Sequence, residues 1–114
     1  MQTTDPTAER PSHQGPRKLL ELVSYQDGSI VSRQILQRKM GSATLFAFDQ
    51  GQELSEHTAP FDALVCVLEG EAQIKISGRP FRLQQGDMIV MPATQPHAVK
   101  ATRKFKMLLI MIRS

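Results

Sequence analysis

A two-residue alternation, broken repeatedly by glycine and proline, constrains this chain more than any other feature. Ala72, Ile74 and Ile76 alternate with Gln73, Lys75 and Ser77, and Phe81 and Leu83 alternate with Arg82 and Gln84. Successive side chains on a β-strand point to opposite faces, so the pattern gives each strand one face for a core and one for water. Turn signals such as Asp27-Gly28, Gly41-Ser42, Glu69-Gly70 and Gly78 punctuate the chain at intervals of about eight to ten residues. Helical spacing fits poorly almost everywhere. The expectation is an all-β fold of about eight to ten strands. Strands are expected over residues 29–37, 44–48, 63–68, 72–76, 81–83, 88–91 and 105–112. Residues 19–23 start the pattern as a strand or a short helical turn. Residues 44–48 are apolar on both sides, as in a strand covered on both faces, and residues 88–91 read as a buried strand. Glu53 and Glu56 are placed in a loop before His57, and residues 92–96 in another loop. An open sheet of this size exposes its edges, which favours a closed or two-layered arrangement.

The chain has 114 residues, enough for one domain with one modest core. Residues 1–17 hold three prolines and no large apolar side chain beyond Met1. Such a segment buries too little to offset its ordering entropy, so it reads as a flexible tail, with the folded domain over residues 18–114. His13 lies in that tail and is given no chemical role. No apolar run reaches the roughly 20 residues that span a bilayer, and the first residues lack the apolar core of a secretory signal. The single cysteine, Cys66, has no intramolecular disulfide partner. Together these features lead to the expectation of a cytoplasmic protein with no membrane partner. Net charge is +3, but the basic residues are scattered rather than gathered on one face with aromatics. No nucleic-acid partner is expected.

Two stretches carry the functional signal. In the first, His57 follows Gly51 after five residues, and six residues separate Ala63 from Gly70. In the second, Pro92 follows Gly86 after five residues, and His97 follows Thr94 after two. This spacing resembles the paired motifs of the cupin superfamily, in particular small single-domain cupins of the conserved-barrel type. The resemblance covers residues 51–101. It implies a β-barrel or jelly-roll, dimeric through sheet faces, with three histidines and one carboxylate converging on a metal. The match to that ligand set is incomplete. His57 and His97 stand at two of the ligand positions, while Ala59 occupies the second histidine position and Ala63 the glutamate position. Thr94 replaces a glycine of the second motif, and Ala101 an asparagine.

The loss matters physically. A transition metal resident in a protein usually has three or more side-chain ligands, with a carboxylate offsetting its charge. Alanine donates nothing, and two imidazoles alone hold such an ion weakly. Asp62 lies one residue from the carboxylate position, so on a regular strand it points to the opposite face unless a bulge turns it inward. Replacing His and Glu by Ala enlarges and neutralises the cavity, which suits an organic guest better than a cation. The leading reading is therefore a non-catalytic barrel that binds a small molecule, such as a sugar-like or aromatic compound. Its pocket is assigned to His57, Ala59, Ala63, Val65, Val67 and His97, with the histidines as polar anchors. No cofactor is expected. One alternative is a metal-dependent cupin enzyme, dioxygenase- or isomerase-like, with a weakly held divalent transition metal on His57 and His97. Another is a structural or interaction module. Catalytic residues are not assigned. Cys66 is out of phase with the pocket face and reads as a buried, inert thiol. Met88, Met91, Met107 and Met111 read as fillers of core or interface gaps.

Overall fold

A computed structural model describes residues 15–113. The proposed tail over residues 1–17, and His13 within it, therefore lie almost wholly outside the described residues. A short 3-10 turn, Leu19–Glu21, comes first, the helical alternative for that stretch. Nine strands follow: β1 (Ile30–Arg38), β2 (Gly41–Phe48), β3 (Glu53–His57), β4 (Phe61–Glu69), β5 (Glu71–Ile76), β6 (Arg79–Gln84), β7 (Met88–Met91), β8 (His97–Ala101) and β9 (Phe105–Arg113). They form a five-stranded sheet of order β1-β2-β9-β4-β7 and a four-stranded sheet of order β3-β8-β5-β6, all pairs antiparallel. The two sheets stack without joining edge to edge. The expected all-β jelly-roll is present, but the sheets do not close into a continuous hydrogen-bonded barrel. No helix among the described residues is long and apolar enough to cross a membrane.

Two strands go beyond the expected set. Glu53 and Glu56 are exposed, as expected, but they lie on β3 rather than in a loop. β8 was not anticipated at all. The stretch over residues 88–91 is buried on one face only, with Met88 and Val90 about half exposed on the other.

Alternation decides which side chains meet between the sheets. On β4 the inward residues are Ala63, Val65 and Val67; on β5, Ala72 and Ile74; on β9, Phe105 and Met107. The Phe48 and Phe105 rings stack at 4.6 Å at the centre of this core. Each such fully buried large side chain contributes roughly 1.5–3 kcal/mol relative to exposure. Residues 44–48 are covered on both faces, as their sequence demands. Phe48 faces the inter-sheet core, whereas Leu45 and Ala47 face outward and are roofed by Val23, Leu22 and Tyr25 of the N-terminal segment.

That roof is held electrostatically. The Tyr25 hydroxyl donates to a Glu69 carboxylate oxygen at 2.6 Å. Burial and the Glu69 contact raise the Tyr25 pKa, so the phenol stays a donor. The ammonium of Lys106, a buried lysine, donates to the Leu20 carbonyl at 2.6 Å and lies 5.0 Å from the Tyr25 ring centre. Lys104 approaches the same ring at 4.7 Å. The rest of this outer sheet face stays open. Met88 and Val90 on β7, beside Leu64 and Cys66 on β4, remain partly or largely exposed. Cys66 therefore lies partly exposed on the outer face instead of being buried between the sheets.

Candidate functional site

The histidines reach one another through a defect in β3. Leu54 pairs with Val99, but the next pair is His57 with His97, so β3 spends three residues where β8 spends two. This one-residue bulge reverses the parity of the strand. Leu54 and His57 would point to opposite faces of a regular strand, yet both line the same cavity. A bulge beside Asp62 is what would turn that residue inward. The one present lies upstream instead and turns His57 inward.

The two rings sit edge to face with centres 4.4 Å apart, and their Nε2 atoms are separated by 3.2 Å. Each Nδ1 faces the carbonyl oxygen two residues before it. The distances are 2.8 Å from His57 to Ser55 and 3.2 Å from His97 to Gln95. A carbonyl only accepts, so both rings must carry their proton on Nδ1 to satisfy these contacts. Both Nε2 lone pairs then face the same small space with no proton between them. The site calls for one more electron-pair acceptor: a proton, a donor group on a guest, or a cation. His57 is exposed at the rim, and His97 is 7% exposed. Burial is the largest influence on His97 and lowers its pKa. The Gln95 carbonyl partly opposes this, and the nearby His57 lowers it further.

The loop over residues 92–96 is fixed from three sides. Asp62 accepts from the Ala93 amide at 2.8 Å, the Ala59 carbonyl accepts from the Thr94 amide at 2.8 Å, and the Pro96 carbonyl accepts from the Ser77 amide at 2.8 Å. Asp62 is thus exposed and engaged with backbone rather than aimed into the cavity. Thr94 adopts φ 68°, a left-handed conformation costly for a β-branched residue. The second motif carries glycine at this position, and the turn survives here without it.

The cavity encloses about 70 Å³. The four-stranded sheet contributes Leu54, His57, His97 and Val99. The facing sheet contributes Phe61, Ala63, Met91, Met107, Leu109 and Met111, and Ala59 closes the loop side. Four of the six assigned pocket residues, His57, Ala59, Ala63 and His97, meet here. Val65 and Val67 continue the same inward face of β4 but pack in the core at 0% and 2% exposure, away from the cavity wall. Sequence reasoning passed over Met91, Met107 and Met111 as pocket residues. Strand register alone brings them there, because Ala63 is the cross-strand partner of both Met91 and Met111.

The donor set does not fit the divalent metal implied by the two motifs. Among the described residues, no group of three or more His, Cys, Asp or Glu side chains converges anywhere. The cavity offers two imidazoles and no carboxylate. Its volume is also about half that of a cavity of roughly 150 Å³ that accepts benzene, so a sugar or aromatic ring does not fit without wall movement.

A family profile described as "Cupin domain" matches residues 44–113. Among solved structures, the chain is similar to a conserved protein of unknown function from Streptococcus pyogenes. The two are 37% identical over 90% of each chain, with a TM-score of 0.85. It is also similar to a cupin 2 conserved barrel domain protein from Leptotrichia buccalis. There the identity is 43% over 82% of this chain, with a TM-score of 0.80, and the match spans only 46% of the Leptotrichia chain. A cupin superfamily protein from Desulfitobacterium hafniense is 28% identical over 90% of this chain and 94% of its own, with a TM-score of 0.84. No curated protein matches.

Proposed function

Because this chain belongs to the cupin family, we propose that its inter-sheet cavity serves as a non-catalytic binding site for a small molecule. The observation that carries this reading is the convergence of two Nε2 lone pairs, 3.2 Å apart, on a space otherwise walled by apolar side chains. Such a site favours a guest of few heavy atoms with a hydroxyl or amine donor at one end and an apolar remainder. His57 and His97 accept from the donor, Ala59 and Ala63 leave room for it, and the methionine wall contacts the rest.

Native mass spectrometry of the untagged protein tests this directly. A bound organic guest is expected, and it should be lost from a folded His57→Ala/His97→Ala variant. A guest retained in that variant would place binding elsewhere and overturn the assignment.

One observation favours the enzymatic alternative. Two nitrogens 3.2 Å apart match the spacing of two adjacent ligands on an ion bound at about 2.1 Å. The missing third protein ligand weighs against a resident divalent ion and places this reading second.

We also propose a homodimer formed across the open apolar face near Met88 and Val90, which are 54% and 48% exposed. Light scattering should report a dimer that dissociates in Val90→Lys. A monomeric parent protein would refute it.

A further inference from the structure

We infer that the same cavity is a binding site for a soft monovalent metal ion, copper(I), held by His57 and His97 from one sheet and by methionine thioethers from the other. The inference goes beyond the organic-guest reading, because it rests on a separate observation: what stands opposite the histidines. Ala63 occupies the position where the motif carries its carboxylate. In register, Ala63 is flanked by Met91 on β7 and by Met111 on β9. All three line the cavity with His57 and His97, and Met107 joins them from further along β9. The space left by the absent carboxylate is therefore bordered by flexible thioethers, which adapt readily to a neighbour.

The chemistry of the donors has changed along with their number. A carboxylate and three imidazoles suit divalent ions. Two imidazoles and thioethers, with no carboxylate in the lining, suit a soft ion of lower charge. An uncompensated charge in an apolar cavity is costly and costs more as it grows, so a monovalent ion is favoured over a divalent one. Both histidines already hold their protons on Nδ1 against backbone carbonyls, leaving each Nε2 free to ligate without losing a proton.

The test is an anaerobic competition titration of the full chain against a coloured copper(I) chelator. It is performed in a Cys66→Ser background so that the partly exposed thiol contributes nothing. One ion per chain is expected. Affinity should fall roughly tenfold or more in Met91→Leu/Met111→Leu, which keeps volume and apolarity but removes sulfur. Zinc(II) and manganese(II) should bind far more weakly than copper(I). Circular dichroism and thermal melting establish that the leucine variant is folded. Equal copper(I) affinity in the methionine and leucine forms, no binding in either, or tighter binding of zinc(II) would each overturn the inference. Native mass spectrometry judges the organic guest separately, so either conclusion can fail while the other stands.

Discussion

His57 and His97 are cross-strand partners whose Nε2 atoms lie 3.2 Å apart, although 40 residues separate them in sequence. Each ring is oriented in the same way, by its Nδ1 proton donated to the carbonyl two residues earlier. Backbone thus fixes the tautomer of both side chains, and a bulge in β3 brings them to the same face. The functional reading follows from that relationship.

Stability should depend on pH through His97. Burial and the adjacent His57 hold its folded-state pKa below the ordinary 6.5. Unfolding therefore takes up a proton that the folded chain resists below that value, and stability rises with pH across the window beneath about 6.5 and is complete above it. Melting temperatures from pH 5 to 7.5 should climb for the parent protein and flatten for His97→Asn. Identical slopes would show that another group is responsible.

Gly70 should tolerate no side chain. Its φ is +85°, and an added Cβ would lie 2.0 Å from the Lys104 carbonyl oxygen and 2.6 Å from Phe105 Cα. Relief requires shifting the start of β9, which carries the central Phe105 ring. Gly70→Ala should lose about 4 kcal/mol or more in urea unfolding, or fail to fold. A loss under about 1 kcal/mol would mean that the turn yields freely.

Thr94→Gly should stabilise the protein. Threonine at φ 68° carries strain of about 1–2 kcal/mol, while glycine adds about 0.5–1 kcal/mol of unfolded-state entropy cost. A net gain of roughly 0.5–1 kcal/mol is expected from chemical denaturation. A net loss would mean that the threonine hydroxyl, which donates to the Ala93 carbonyl, offsets the strain.

Asp62→Ala should weaken guest binding without touching the guest. Its carboxylate restrains the Ala93 amide in the loop that leads into His97. Removing that hydrogen bond should cost about 1 kcal/mol of stability and reduce guest occupancy in native mass spectra. Unchanged occupancy would show that the neighbouring Thr94–Ala59 and Ser77–Pro96 bonds fix the loop by themselves.

The sequence revealed the core strands because one face of each is buried. Ala72, Ile74 and Leu83 alternate cleanly with polar residues, and the inter-sheet core forms where that alternation places it. The strands carrying the site were hidden for the same reason in reverse. β3 is polar and its phase is broken by the bulge, so neither Glu53 nor His57 displays a usable period. β8 follows a proline-rich loop and is only five residues long. His57 and His97 could be found from motif spacing, and so could the alanines beside them. The methionine wall could not, because Met91 and Met111 become neighbours only when β7 and β9 flank β4. The need to protect edges left a closed and a two-layered arrangement equally open, because it does not specify how the edges are covered.

Elemental analysis of the untagged protein, dialysed without chelator, tests the central claim most directly. Two imidazoles without a carboxylate or a third imidazole beside them should leave manganese, iron, cobalt, nickel and zinc well below one atom per chain. A full equivalent of any of these ions that survives dialysis, and disappears in His57→Ala/His97→Ala, would contradict it.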